Sequence, residues 1–213
     1  MKILFATLSV LLAASVSHAT NLSTYKVTVV NLTKGQPLTP AFVAVHAPGY
    51  SLYELGTEAS AGLQLQAKDG DVSVLKEEAS MNPAVKVTTV GSGVIMPGQS
   101  DELTFSSQSR RLISISSMLA RTNDAFVGIK NVMLPQQKGQ KLSMLLRVYD
   151  AGAEANTESC AHIPAPPCNS HNANTQDNEG FVTAHPGIQN IGDLEPLRDA
   201  FGGIGAKVVI EKL

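Results

Sequence analysis

The sequence predicts an all-β fold, an antiparallel β-sandwich of about eight strands with one or two short helices and a long irregular segment. Three observations predict it. Eight short runs are rich in Val, Ile, Thr or Phe and are bounded by Gly, Pro or Asn, the pattern of sandwiches and barrels. Helical signals are few, and no repeat or linker divides the chain. A length of 213 residues is ordinary for one domain of this class.

The predicted strands follow one another along the chain. Residues 25–31 alternate apolar and polar side chains, as in a strand with one buried face. Residues 40–46 form an apolar run that Pro48-Gly49 closes. The other predicted strands are residues 85–90, 103–105, 111–116, 126–134, 142–149 and 206–210.

The helical signals lie in two places. Residues 51–75 carry Leu and Ala among acidic residues and predict one or two short helices, which Asp69-Gly-Asp71 would interrupt. Residues 193–201 predict one helical turn. Residues 150–187 are rich in Asn, Pro, Ala, Ser and His and have almost no periodicity. Irregular segments of this length in a compact domain are functional or mobile.

The first residues predict a secretory signal peptide, residues 1–19. Lys2 supplies the positive charge, residues 3–16 the apolar core and Ser17-His18-Ala19 the cleavage site. The apolar run is shorter than the ~20 residues that a membrane-spanning helix needs. We therefore expect a mature domain of residues 20–213, periplasmic or secreted, with no membrane span after cleavage.

The chain has two cysteines, Cys160 and Cys168, in a Pro-rich stretch. An even number of cysteines in an exported chain predicts a disulfide, here closing a small loop. Two alternatives are a pair of free thiols and a metal site that adds His162 and His171.

Two acidic clusters stand where predicted strands begin or end. If residues 111–118, 126–134 and 142–149 form an antiparallel meander, its first connection and the exit from its third strand share one end of the sheet. Asp124 lies in that connection, and Asp150 and Glu154 follow the third strand. The topology therefore predicts that these three carboxylates converge.

Converging carboxylates repel one another unless a cation or protonation relieves them. Ca²⁺ suits such a set, because it accepts six to eight oxygens at flexible geometry. Gly152 would let the chain turn between Asp150 and Glu154, and further oxygen donors are Asn123, Asn156 and Glu158. An EF-hand is rejected, because its sixth-position glycine and flanking helices are missing. The alternative is that the acids lie in solvated turns.

At these residues the sequence resembles the spondin N-terminal domain family, in its bacterial exported form. The resemblance extends over essentially residues 25–213 and is carried by four motifs, Met118-Leu-Ala-Arg-Thr-Asn-Asp-Ala-Phe-Val-Gly-Ile129, Val148-Tyr-Asp-Ala-Gly-Ala-Glu154, Asn178-Glu-Gly-Phe-Val182 and Gly192-Asp-Leu194, with Pro40-Ala-Phe-Val-Ala-Val-His46 upstream.

The resemblance implies an eight-stranded sandwich similar to C2 domains, with one Ca²⁺ bound by loops at one end. Carried over by position, the implied ligands are Asp124, Asp150 and Glu154. The chain departs from the animal pattern at Ala153, where Thr is usual, and at Glu154, where Asp is usual. Glu can bind calcium bidentately, so the second change alters geometry more than it removes a ligand.

The expected function is that of a non-enzymatic binding, adhesion or structural module, not an enzyme. No G-x-S-x-G nucleophile motif is present. A net charge of −2 without a basic stripe argues against nucleic acid. The expected partner is an extracellular or periplasmic protein or a glycan.

The alternative is a periplasmic hydrolase or a transition-metal protein that uses His162, His171 and His185, with Asp177 and Glu179 nearby. The spacing of these histidines matches no compact ligand motif.

Overall fold

The computed structural model describes residues 21–170, 174–175 and 177–213. The predicted signal peptide and His171 lie outside these residues. Within them the chain forms an all-β fold of nine antiparallel strands with short helices, as the sequence predicts.

All eight predicted strands are present, and a ninth of two residues was not predicted. The strands are β1 (Leu22–Asn31), β2 (Phe42–His46), β3 (Val85–Val90), β4 (Ser100–Gln108), β5 (Leu112–Met118), β6 (Ala125–Met133), β7 (Lys141–Asp150), β8 (Thr183–Ala184) and β9 (Ile204–Lys212). The helices are α1 (Ala61–Asp69), α2 (Ser73–Met81) and α3 (Pro196–Asp199), with a 3-10 turn over Cys160–His162.

The strands form one nearly closed sheet in the order β3-β2-β5-β6-β7-β9-β1-β4, with β8 beside β7. The first four and the last four strands make two halves, which are joined where β6 pairs with β7. That join has four register pairs, from Ala125 with Asp150 to Gly128 with Arg147. At the opposite side, the two edge strands β3 and β4 approach each other. Ser92, which follows β3, donates from its nitrogen and its hydroxyl to Asp101 of β4 at 2.8 and 2.6 Å.

The main core lies between the two halves. Alternation along β1 turns Tyr25, Val27 and Val29 inward, where they join the apolar side chains of β4, β5, β6 and β9. Strand β2 is buried on both faces: Val43 and Val45 belong to this core, while Phe42 and Ala44 face the helices. The continuous apolar run of β2 follows from this double burial.

Helices α1 and α2 cover the outer face of the first half. The Ser60 hydroxyl caps α1 by accepting from the Leu63 nitrogen at 3.2 Å, and Gly70 ends it with a φ of 74°. Asp71 accepts from the Ser73 nitrogen at 2.8 Å as α2 begins. The predicted interruption at residues 69–71 is therefore confirmed.

Among the described residues, no helix has the length and apolar character that crossing a lipid bilayer requires.

Cys160 and Cys168 form a disulfide with Cα atoms 4.6 Å apart. The predicted bridge is confirmed, and the alternatives that needed free thiols are wrong. The loop that it closes contacts the domain through Arg121, whose Nε donates to the Pro166 carbonyl at 2.6 Å.

Candidate metal centre

Asp124 and Asp150 lie side by side at one end of the sheet. Asp124 immediately precedes β6 and Asp150 ends β7, and the pairing of Ala125 with Asp150 brings the two together. Strands β5, β6 and β7 are consecutive antiparallel neighbours. The meander predicted from the sequence is therefore confirmed, together with the convergence of these two carboxylates.

A turn stabilised by Thr122 fixes the position of Asp124. The Thr122 hydroxyl donates to the Leu119 carbonyl at 2.7 Å and accepts from the Ala125 nitrogen at 3.0 Å. Asp124 Oδ2 accepts from the main-chain nitrogens of Ala153 and Glu154 at 2.7 and 3.0 Å. The loop that follows β7 thus wraps around the Asp124 carboxylate.

Gly152 makes that loop possible. Its φ is 66°, in the left-handed region, and its nitrogen donates to Asp150 Oδ1 at 2.7 Å. The turn predicted between Asp150 and Glu154 is present.

A third carboxylate, that of Glu179, completes a cluster that the sequence analysis did not predict. One oxygen each from Asp124, Asp150 and Glu179 lie within 4.8 Å of one another. The Asn156 side-chain nitrogen bridges two of them, donating to Asp150 Oδ2 and, at 3.1 Å, to Glu179 Oε1. Glu179 comes from the irregular segment, far along the chain, so topology gave no reason to pair it with Asp124.

Glu154 is buried but lies outside that cluster. Its nitrogen contacts Asp124, whereas its Oε2 has no hydrogen-bond partner among the described residues. Burial raises the pKa of Glu154 to about 7, against the opposing charge of Lys68. Its role as a calcium ligand stays a prediction.

The electrostatics of the cluster favour a cation. Asp124 is fully buried, and its Oδ1 accepts no hydrogen bond from the described residues. Burial, and then the charge of Asp150, raise the pKa of Asp124 to about 8. Burial also raises the pKa of Asp150, against hydrogen bonds from Asn156 and Gly152. Among the residues that the structure describes, no cationic side chain lowers the pKa of either buried acid.

The donor set fits a hard cation such as Ca²⁺. Oxygens bound to one Ca²⁺ lie about 2.4 Å from it, so two of them are separated by at most about 5 Å. The three carboxylates meet this distance limit. Asp124 Oδ1, which accepts no hydrogen bond from the described residues, could serve as a ligand.

A family model described as Spondin_N matches residues 16–180, more than half of the chain. The chain belongs to the Spondin_N family. Domains of this family are generally non-enzymatic extracellular modules. A search of curated proteins gives no significant match.

The Spondin_N match includes the three clustered acids and Glu154. Some of the further oxygen donors predicted for calcium are already engaged in hydrogen bonds with the protein. Asn156 contacts the cluster. Asn123 Oδ1 accepts from the Glu158 nitrogen at 3.1 Å, and the Glu158 carboxylate accepts from the nitrogens of Gln189 and Ile191. In this spondin domain Asn123 and Glu158 therefore hold the loops together.

The histidines of the alternative hypothesis have local partners. His162 Nδ1 lies 3.2 Å from the Thr157 hydroxyl, and His185 Nδ1 accepts from the Gly187 nitrogen at 3.0 Å. Within the described ranges, neither belongs to a group of three metal-ligating side chains. His46, in β2, lies 2.9 Å from the Ser114 hydroxyl and is part of the buried structure.

Proposed function

We propose that this spondin domain is an exported calcium-binding module with a non-enzymatic binding, adhesion or structural role. One observation carries the proposal: Asp124 Oδ1 is buried, accepts no hydrogen bond from the described part of the chain, and belongs to a carboxylate that clusters with two others. An unpaired carboxylate oxygen in the interior is costly, and a bound cation would remove that cost.

Calcium is the ion that this donor set favours. Asp124, Asp150 and a third acidic residue supply oxygen ligands only, whereas structural zinc sites use Cys and His. The ligands come from separate loops, and Ca²⁺ tolerates irregular geometry where Mg²⁺ requires a near-ideal octahedron. Magnesium should therefore replace calcium poorly.

Calcium binding would stabilise the fold, because the ion binds the folded site and not the open chain. At a free calcium concentration a hundredfold above the dissociation constant, the gain is about 2.7 kcal/mol. For a domain of this size, such a gain raises the melting midpoint by roughly 5–10 °C. Removing calcium with a chelator should reverse the shift.

Asp124→Asn is the decisive variant. Its amide oxygen can still accept from the Ala153 and Glu154 nitrogens, so the loop keeps its hydrogen bonds while the site loses one charge. We expect the calcium-dependent shift to disappear and the stability in chelator to stay the same or rise, because the neutral amide removes the repulsion from Asp150. Glu58→Gln, which removes an exposed charge outside the cluster, is the matched control and should keep the full shift.

Two results would overturn the proposal. The first is a wild-type melting midpoint that calcium and chelator leave unchanged. The second is stoichiometric zinc or copper, without calcium, in a metal analysis of the purified protein, which would support the histidine alternative.

The location and partner follow from the same proposal. The signal peptide would direct residues 20–213 to the periplasm or the medium, where calcium is available and the Cys160–Cys168 disulfide is stable. The partner would be an extracellular or periplasmic protein or a glycan. Co-purification from the native exported fraction, with and without chelator, would test whether the partner requires calcium.

A further inference from the structure

We propose that Glu179 is the third carboxylate ligand, and that calcium thereby fastens residues 177–182, here called the strap, to the sandwich. The inference rests on the proposed calcium binding but goes beyond it. It assigns a ligand that lies in the irregular segment, and it gives the ion a structural task.

The main chain places Glu179 opposite the two aspartates. The Ala155 nitrogen donates to the Asp177 carbonyl and the Gly180 nitrogen donates to the Gly152 carbonyl, both at 2.8 Å. These two hydrogen bonds hold the strap against the loop that follows β7. Glu179 stands between them, with its carboxylate in the cluster.

The other end of the strap is bonded to the loop that precedes α1. The Gly56 nitrogen donates to the Val182 carbonyl, and the Val182 nitrogen donates to the Thr57 carbonyl, both at 2.8 Å. The Val182 side chain is fully buried in the core under the helices. The strap therefore connects the metal centre with the helical face of the domain.

The side-chain amide of Asn156 contacts two of the three carboxylates in the cluster. Asn156 donates from its side chain to both Asp150 and Glu179, and from its main chain to Glu179 Oε1 at 3.2 Å. The two negative charges repel each other across this amide. A calcium ion bound by both carboxylates would offset this repulsion.

Glu154 and Glu179 contact the site through different groups. Glu154 reaches Asp124 through its main-chain nitrogen, and Lys68 is the cation that acts on its carboxylate. Glu179 reaches the cluster through its carboxylate and is otherwise exposed. An exposed residue can be replaced without disturbing the core, so Glu179 allows a clean test.

The test compares three variants, Glu179→Gln, Glu154→Gln and Asp177→Asn, by titrating each with calcium in a calorimeter. We expect Glu179→Gln to weaken calcium binding by at least roughly 10- to 100-fold, the loss typical even of outer-shell partners. Asp177→Asn removes an exposed charge from the same strap and should bind like the wild type. Glu154→Gln should lose less affinity than Glu179→Gln. In chelator, Glu179→Gln and Asp177→Asn, both at exposed positions, should have a melting midpoint no lower than that of the wild type.

Hydrogen exchange supplies the second measurement. In the wild type, calcium should slow exchange at the amides of Gly180 and Val182, which hold the strap. In Glu179→Gln, a calcium concentration that saturates the variant should give much less protection at these amides. The Asp177→Asn control should show the full effect.

The outcomes separate the inference from the proposed function. If the wild type binds no calcium, the proposed function fails. If Asp124→Asn abolishes binding while Glu179→Gln binds and protects the strap normally, calcium binding stands and the assignment of Glu179 is overturned. A larger loss in Glu154→Gln than in Glu179→Gln would also overturn it.

Discussion

The main-chain nitrogen of Gly180 donates to the carbonyl oxygen of Gly152 at 2.8 Å, and both glycines have positive φ, 81° and 66°. The contact joins the strap to the loop that leaves β7, and the strap lies so close to Gly152 that a side chain has no space there. A Cβ built on Gly152 would lie 2.5 Å from the Phe181 nitrogen and 2.7 Å from its carbonyl carbon.

Gly152→Ala should therefore destabilise the domain strongly. The left-handed conformation costs a non-glycine residue about 1–2 kcal/mol, and the clash with the Phe181 backbone adds about 1–3 kcal/mol. Gly98→Ala is the matched control, since Gly98 has a φ of 75° and no atom within 4 Å of its Cβ position. Urea unfolding should show a clearly larger loss for Gly152→Ala. Equal losses would show that the close approach of the strap costs nothing.

The disulfide should make a modest contribution to the free energy of unfolding. The bridged residues are eight positions apart, and closing so short a loop in the unfolded chain accounts for about 2–3 kcal/mol. Replacing both Cys160 and Cys168 by Ser should lower the free energy of unfolding by up to this amount. Reductant should destabilise the wild type equally and leave the double variant unchanged. Two titratable thiols in the folded, unreduced protein would contradict the bridge.

His185 should make stability depend on pH. Burial lowers the pKa of His185 to about 4, against the opposing charge of Glu158, and its ring packs edge-on against Phe201. Above pH ~6.5 the imidazole is neutral in both states, whereas between about pH 6.5 and 4 only the unfolded chain takes up the proton. As pH falls through this window, the free energy of unfolding of the wild type should therefore decrease by up to about 3 kcal/mol relative to that of His185→Phe. Urea unfolding of both proteins in chelator measures the difference, and a difference independent of pH would refute the effect.

The predicted signal peptide can be tested by measuring the mass of the exported protein. If the leader is cleaved after Ala19, the exported protein begins at Thr20 and has lost residues 1–19. Mass spectrometry of the periplasmic and medium fractions would show this. An exported protein with Met1 intact would exclude cleavage.

The sequence predicted the existence of the strands better than their first and last residues. Residues 103–105 were predicted, but β4 runs over Ser100–Gln108, because Leu103, Phe105 and Ser107 are buried while the alternate residues are polar and more exposed. An edge strand with one solvated face gives only a weak apolar signal. Strand β8 gave no signal, since its two residues are extended only because they pair with the end of β7.

The metal centre was predictable only where local topology determines it. Asp124 and Asp150 belong to one meander, so the spacing of consecutive strands brings them together. Glu179 belongs to an aperiodic segment, and its position depends on hydrogen bonds between the strap and two loops. Such long-range contacts leave no periodic pattern in a sequence.

The four-pair join between β6 and β7 has a mechanical consequence. Asp124 immediately precedes β6, and Asp150 is the last residue of β7. A tensile load that peels the halves apart from this end must first separate the two aspartates. An ion bound by both aspartates would oppose that separation, so calcium binding would raise the force needed to part β6 from β7 at this end.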